Sequence, residues 1–394
     1  MRYRSRESLV AHIKSILDFY DPNIVDAAGG FVQNFRDDGT VFDVQDRHLV
    51  SSTRMVINYC RAYTLFGEEK YQRRAIHGLE FIARHHWDER RQAYNWTMSG
   101  TRPTDQTNHC YGLAFVLLMY SELVKAGIGD NCAAVDETFE ILESRFWLND
   151  NDLYADEASP DWSHLSDYRG QNANMHTCEA MLAAYEATAN ERYLERAYAL
   201  AHRFTLDLAH KSDDLVWEHF TEDLDVDWDY NREDPKNLYR PWGFQPGHQT
   251  EWAKLLLSLY EIRPEKWMIE RATHLFDRAL EFAWDETYGG IQYGFNPQGE
   301  ICDDDKYFWV QAESIAAAAR LAVVTGEQRY WDWYEKIWDY ADQHMIDKQY
   351  GAWFRVLDRK NNKLSDAKST AGGKCDYHTL GACDDVIGVL NAGT

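Results

Sequence analysis

Tyr288-Gly289-Gly290-Ile291 and, 62 residues further on, Tyr350-Gly351-Ala352-Trp353 are two versions of one phrase: an aromatic residue, a turn, then a bulky apolar residue. Weaker versions precede them at Ala28-Gly29-Gly30-Phe31, Gln92-Ala93-Tyr94-Asn95-Trp96, Asp152-Leu153-Tyr154 and Asp214-Leu215-Val216-Trp217. Aligned on Gly29, Ala93, Leu153, Leu215, Gly289 and Gly351, the intervals are 64, 60, 62, 74 and 62 residues. A second series keeps step with the first and marks helix starts: Glu69–Tyr71, Glu191–Tyr193, Glu265–Trp267 and Gln328–Tyr330. A fixed period of this length signals repeated units that each bury one face against a neighbour. Six such units fill the chain, the third and fourth having drifted furthest from the shared residues.

Each unit holds two helices of different character. One kind is nearly uncharged: His109 to Leu123, Met175 to Ala187, His248 to Tyr260, Trp309 to Val324 and Tyr377 to Leu390. The other has a charged face: Arg6 to Tyr20, Glu68 to His86, Val135 to Phe146, Glu191 to Leu208, Pro264 to Ala283 and Glu327 to Met345. A helix apolar all round is buried, and one with a charged face lies outside. Six inner and six outer helices in alternation predict an all-α fold, an (α/α)6 barrel forming a single domain over residues 1–394. The last inner helix is expected to close the ring against the first outer helix. Inner-to-outer turns are short, as at Phe66-Gly67-Glu68, whereas the outer-to-inner connections are long: Asp21–Asp46, Trp87–Asn108, Trp147–Gln171, Ala209–Gly247, Trp284–Tyr307 and Ile346–Asp376. All six long loops must emerge on one face, with short β-hairpins in them such as Gly290-Ile291-Gln292-Tyr293-Gly294-Phe295. Long structured loops usually carry function, and six positive helix ends meet on that face.

Composition narrows the partner. The charge is 41 − 65 = −24, which repels phosphate backbones and anionic membranes. The 394 residues include only 8 Pro, in keeping with long helices, but 15 Trp and 24 Tyr, more than a core requires and suited to packing on sugar rings. Seven cysteines without a CxxC pair, no apolar segment behind Met1-Arg2-Tyr3-Arg4 and no stretch long enough to span a bilayer predict a cytoplasmic protein with free thiols.

Histidine gathers at the starts of the inner helices: His48, His109, His176, His248 and His378, with Trp309 in the remaining unit. Histidine suits proton transfer near neutral pH. Glu179 follows His176 by three residues and Glu251 follows His248 by three, spacings that share a helix face. Each carboxylate is expected to orient its histidine or the substrate, or else to cap its helix; Glu313 lies four after Trp309. Arg54 stands among uncharged residues and must find a partner, either a sugar oxygen or one of these glutamates. No metal motif is present. Asp225-Val226-Asp227-Trp228-Asp229 begins like a calcium loop, but Tyr230 and Lys236 occupy the glycine and glutamate positions. Neither a phosphate loop nor a Gly-x-Ser-x-Gly elbow occurs.

Tyr239-Arg240-Pro241-Trp242-Gly243-Phe244-Gln245-Pro246-Gly247-His248-Gln249-Thr250-Glu251-Trp252, together with Arg54-Met55-Val56 and Tyr377-His378, resembles the N-acylglucosamine 2-epimerase superfamily over essentially the whole chain. Glu251 followed directly by Trp252 is similar to its aldose–ketose isomerase branch. The resemblance implies an (α/α)6 barrel that isomerises sugars without a metal or other cofactor, with His248 and His378 as the catalytic pair. It further implies that Arg54, Tyr111, Asn172, His176, Trp242, Glu251, Trp309 and Glu313 bind the sugar, Asn174 being a rival for the place of Asn172. The expected reaction interconverts D-mannose and D-fructose, and also lyxose and xylulose, through a cis-enediol. His378 is favoured as the base at C2 and His248 as the ring-opening acid/base, an order left open by the residues alone. Alternatives are a sugar 2-epimerase or sulfoquinovose isomerase of the same superfamily, an inverting glycoside hydrolase using Glu251 and Glu313, and a sugar-binding protein. The expected partner is a monosaccharide, with neither nucleic acid nor membrane, and the chain is expected to be a monomer or homodimer.

Overall fold

The computed structural model describes residues 3–392, so the first and last two residues of the expected 1–394 domain lie outside it. Twelve α-helices are present among the described residues, alternating in chain order between an outer and an inner ring. The outer helices are α1 (Arg6–Tyr20), α3 (Glu69–Phe81), α5 (Cys132–Arg145), α7 (Glu191–His202), α9 (Lys266–Ala283) and α11 (Gln328–Tyr340). The inner helices are α2 (Leu49–Phe66), α4 (Cys110–Lys125), α6 (Gln171–Thr188), α8 (Pro246–Ile262), α10 (Phe308–Thr325) and α12 (Tyr377–Ala392). Each inner helix packs on the next, α12 returns to α2, and α1 packs on α12, which makes the structure an (α/α)6 barrel.

The helices divide as their side chains dictate. In α11 the buried Tyr330, Tyr334, Ile337 and Trp338 recur with helical period, while Arg329, Asp332, Glu335 and Lys336 take the other face. In α10 the run Ile315 to Ala319 is buried throughout. The aromatic of the helix-start phrase is a fully enclosed anchor at Tyr71, Tyr193 and Tyr330, whereas Trp267 is half-buried. Outer helices α3, α7 and α11 finish in a widened π turn, at residues 82–86, 203–208 and 341–345. The short turns at Gly67 and Gly326 are left-handed caps, with φ of 67° and 71°.

In five of the six units the repeated phrase is a tight reversal after the outer helix. It pairs Val25 with Phe31, Trp87 with Tyr94, Trp147 with Tyr154, Trp284 with Ile291 and Ile346 with Trp353. The reversal requires positive φ, met by Gly290 at 80°, Gly351 at 85°, and by Gln92 and Asp152 at 51° and 52°. At Gly290 a Cβ would also sit 2.4 Å from the ring of Tyr340. An inner-helix amide then grips the turn by both backbone groups. Asn174 takes Tyr154 N–H and donates to its carbonyl (2.8 and 2.9 Å), Gln249 does so with Val216 (3.0 and 2.8 Å) and Gln311 with Ile291 (3.0 and 2.8 Å). These grips fix the depth of each inner helix relative to the loop above it. α6 begins at Gln171, four residues ahead of the expected Met175, and the amides of Gln171 and Asn174 in this added turn have tertiary partners.

Candidate active site

All six inner helices begin at the long-loop face, where a cavity of about 550 Å³ opens. Arg54, Tyr111, Asn172, His176, His248, Glu251, Trp309 and His378 line it. Three of its histidines share one construction, a ring whose Nδ1 meets a buried glutamate while the other glutamate oxygen meets a second donor. His176 Nδ1 lies 2.9 Å from Glu179 Oε2, and Tyr377 donates to Glu179 Oε1 at 2.7 Å. His378 Nδ1 lies 2.7 Å from Glu313 Oε1, and Lys254 Nζ donates to Glu313 Oε2 at 2.5 Å. His248 Nδ1 lies 2.9 Å from Glu218 Oε1, and Gln171 donates to Glu218 Oε2 at 2.9 Å. A carboxylate that accepts from Nδ1–H leaves Nε2 unprotonated toward the cavity, the form a general base requires. Trp309 stands between the last two rings, its centroid 5.0 Å from His248 and 5.8 Å from His378.

Burial, followed by the charges of Arg54, His176 and Lys254, holds His378 well below the ordinary histidine range, so it is neutral at physiological pH. Burial likewise lowers His176. Glu251 is pushed well above the carboxylate range by burial and then by the charge of Glu313. It is therefore a neutral carboxylic acid, able to donate as well as accept. Both of its oxygens, Asn172 Oδ1 and Arg54 Nε are buried without a hydrogen-bond partner. Buried polar atoms left in this state at a cavity wall point to a ligand. Arg54 makes no ion pair with the glutamates. It donates to Tyr111 Oη at 3.0 Å and lies over the rings of Phe115 and Tyr377, at 4.2 and 4.9 Å.

The remaining two histidines of the series are built differently. His48 is the N-cap of α2, where Nδ1 accepts from Val50 N–H at 3.1 Å, and burial followed by the charge of His86 lowers it to about 3. His109 stands at the N-cap position of α4 without a side-chain cap bond and lies tilted against Trp96, with ring centroids 4.0 Å apart. Its Nδ1 is 3.5 Å from Glu157, whose carboxylate is taken by Arg240.

Two residues expected to bind sugar do not line the cavity. Trp242 donates its indole N–H to the Trp228 carbonyl at 2.6 Å and packs edge-on against Trp217. Glu313 lies one layer below, behind His378, on a second cavity of about 160 Å³. Asn172 lines the site, whereas its rival Asn174 is committed to the Tyr154 turn. The i, i+3 spacing holds for His176–Glu179 and not for His248, whose partner Glu218 comes from the loop before α8. None of the inner-helix glutamates caps its helix.

Sequence reasoning missed Glu218, Gln171 and Lys254. Their signals were a charge inside the aromatic run Val216-Trp217-Glu218-His219-Phe220, and a lone charge in the apolar stretch Trp252 to Leu257. The helices also gather two sets of metal-ligating types that no spacing announces, His176–Glu179–Glu251 and Glu251–Glu313–His378, each with atoms within 4.8 Å of one another. In the second set Lys254 already sits on Glu313 Oε2, and in both the histidine Nδ1 is engaged by a glutamate.

The seven cysteines are free, and no helix among the described residues is long and apolar enough to cross a membrane. The profile of the N-acylglucosamine 2-epimerase (GlcNAc 2-epimerase) family matches residues 29–382. The chain is 48% identical to the D-mannose isomerase of Marinomonas mediterranea over 98% of both chains. A crystal structure of D-mannose isomerase superimposes with a TM-score of 0.97, at 48% identity, over 98% of this chain and 99% of the other. The cellobiose 2-epimerase of Spirochaeta thermophila shares the fold at a TM-score of 0.87 and 20% identity, over 98% and 96%.

Proposed function

The chain belongs to the N-acylglucosamine 2-epimerase family, and on that premise we propose that it is an aldose–ketose isomerase interconverting D-mannose and D-fructose without a metal. One observation carries the reading: His248 and His378 flank Trp309 on a single cavity, each with Nδ1 on a buried glutamate and Nε2 left for a substrate. The likeness to the D-mannose isomerase of Marinomonas mediterranea supports mannose as the sugar.

The reaction needs ring opening, removal of the C2 proton and delivery of a proton to C1. His378, held neutral, removes the C2 proton; His248 exchanges protons at the sugar oxygens. Arg54 and the N-termini of the inner helices stabilise the negative charge of the cis-enediolate. Glu251, neutral, donates to a sugar oxygen. Residues 1–394 act as one catalytic domain, because the site draws on helices from α2 to α12. An inverting glycosidase is disfavoured: it needs carboxyl groups roughly 6.5–9.5 Å apart across a substrate, whereas oxygens of Glu251 and Glu313 lie within 4.8 Å and Glu313 is engaged by Lys254.

Incubation with D-mannose in D2O tests the reading. Fructose should form with deuterium at C1, and mannose recovered after reversal should carry it at C2. Absence of fructose removes the activity; fructose free of label after many turnovers removes the proton-transfer route.

A further inference from the structure

Glu218 lies in the long connection from α7 to α8, 3% exposed. Its surroundings fix the neighbouring amide and place His248 Nδ1 between a donor and a carboxylate. An indole N–H only donates, so Trp252 Nε1, 2.8 Å from Gln171, fixes that amide with its oxygen toward Trp252. Gln171 Nε2 must then face Glu218 Oε2 as a donor, at 2.9 Å, and it also lies 2.9 Å from His248 Nδ1. His248 Nδ1 thus has an amide donor on one side and Glu218 Oε1 on the other. An unprotonated Nδ1 would accept from the amide but set its lone pair against a charged carboxylate oxygen, whereas Nδ1–H donates to that carboxylate, and the charge-assisted contact is the stronger of the two.

Building on the isomerase reading, we propose that Glu218 is the positioning residue of His248, fixing the Nδ1–H tautomer and holding the imidazolium that forms while the sugar ring opens. In that step His248 Nε2 takes the O1 proton as the C1–O1 double bond forms. It returns the proton to O5 as the C1–O5 bond breaks, so protons and electron pairs balance within enzyme and sugar. The two backed histidines are unequal in this respect. Glu313 shares its charge with the Lys254 ammonium, whereas Glu218 meets only a neutral amide and keeps its full charge for the ring. The Glu218 carboxylate is therefore available to a proton arriving at His248 during the reaction, and His378 is left as the base.

Glu218→Gln keeps the volume but turns an NH2 toward Nδ1, because Gln171 already donates to the other position. Turnover of mannose should fall by about 10² or more, the worth of a placed acid/base group, with KM changed less than kcat. The acid limb of the kcat/KM profile should move to lower pH, since a histidine without its anion protonates less readily. Catalysed exchange between the α and β anomers of mannose, followed by NMR, should fall in parallel. Glu218→Asp should recover part of the loss and, by its one-methylene setback, remain roughly tenfold below the wild type; if Glu218→Gln does not fold, this variant still decides. Wild-type turnover in either variant overturns the proposal. So does a loss that leaves the pH profile unmoved and is no smaller in Glu218→Asp, the signature of a merely structural group. A wild-type protein that exchanges anomers without making fructose would defeat the isomerase reading, and the Glu218 proposal would then be judged on the exchange rate; no catalysed exchange at all would defeat both.

Discussion

His48 and His109 on one side of the barrel mouth, and His176, His248 and His378 on the other, occupy equivalent places in the repeat and look alike in sequence. Their surroundings differ in kind. On the first side His48 Nδ1 is committed to a backbone N–H, while His109 lies tilted against Trp96 and its Nδ1 stays 3.5 Å from a Glu157 oxygen that Arg240 has taken. On the second side each Nδ1 meets a glutamate that is itself held by Tyr377, Gln171 or Lys254. A histidine at the start of a buried helix is thus not by its position a catalytic group: His48 caps its helix, and His109 makes no cap bond. Such a histidine becomes a proton-transfer group where the fold supplies a carboxylate behind it, and that carboxylate arrives from a different place each time: the same helix, a loop, and the neighbouring helix.

The sharpest way to break this division is to remove rings on both sides. His248→Ala and His378→Ala should each lower turnover by at least ~10²-fold with the fold intact, whereas His109→Ala should cost less than about tenfold. Equal losses in steady-state kinetics would erase the division. Removing a support is the next largest effect. Lys254→Met leaves Glu313 buried and uncompensated, and urea unfolding should show a loss of about 3–5 kcal/mol at neutral pH, shrinking at lower pH as Glu313 takes up a proton.

A smaller effect separates cap from catalyst. His48→Asn keeps a side-chain acceptor for the helix start but removes the titration. His48 is lowered from 6.5 to about 3, so below pH 6.5 the unfolded chain binds a proton that the folded one refuses. Wild-type stability contributed by this group is complete above 6.5 and falls with pH down to about 3, by up to ~1.4 kcal/mol per unit. The variant should therefore gain on the wild type across that window in urea titrations, with turnover changed by less than about tenfold. The smallest effect expected is none: prolonged EDTA treatment should leave activity unchanged, since the proposed proton transfers run through His248 and His378, each held by a glutamate of this chain. Loss on chelation, restored by a divalent ion, would replace the enediol route.

The ring of helices was legible because burial leaves a direct trace, charge on one face or on none. The helix-start aromatics and the reversal after five of the six outer helices were legible too, since positive φ restricts residue choice and the restriction recurs. His176–Glu179 was legible because both residues sit on one helix. The pairing of His248 with Glu218 was not, because it joins a helix to a loop 30 residues upstream and follows no period. Trp242 illustrates the opposite limit. A tryptophan beside a catalytic segment reads as a sugar platform, yet its orientation depends on a single carbonyl, that of Trp228.

The closure of the ring has a consequence for how the protein is made. The buried Leu9, Ile13, Ile16 and Leu17 of α1 lie on a helix whose main inner-ring neighbour is α12. Tyr20 bonds Asp376 at 2.6 Å, and Trp353 bonds His12 at 2.8 Å. α1 leaves the ribosome before α12 and therefore waits for it, with roughly 350 residues synthesised between them, a delay of tens of seconds at ordinary elongation rates. Throughout that interval an apolar stripe lacks its native cover. Translation speed and chaperone supply, rather than the equilibrium stability of the finished barrel, would then set how much of the chain reaches its closed form.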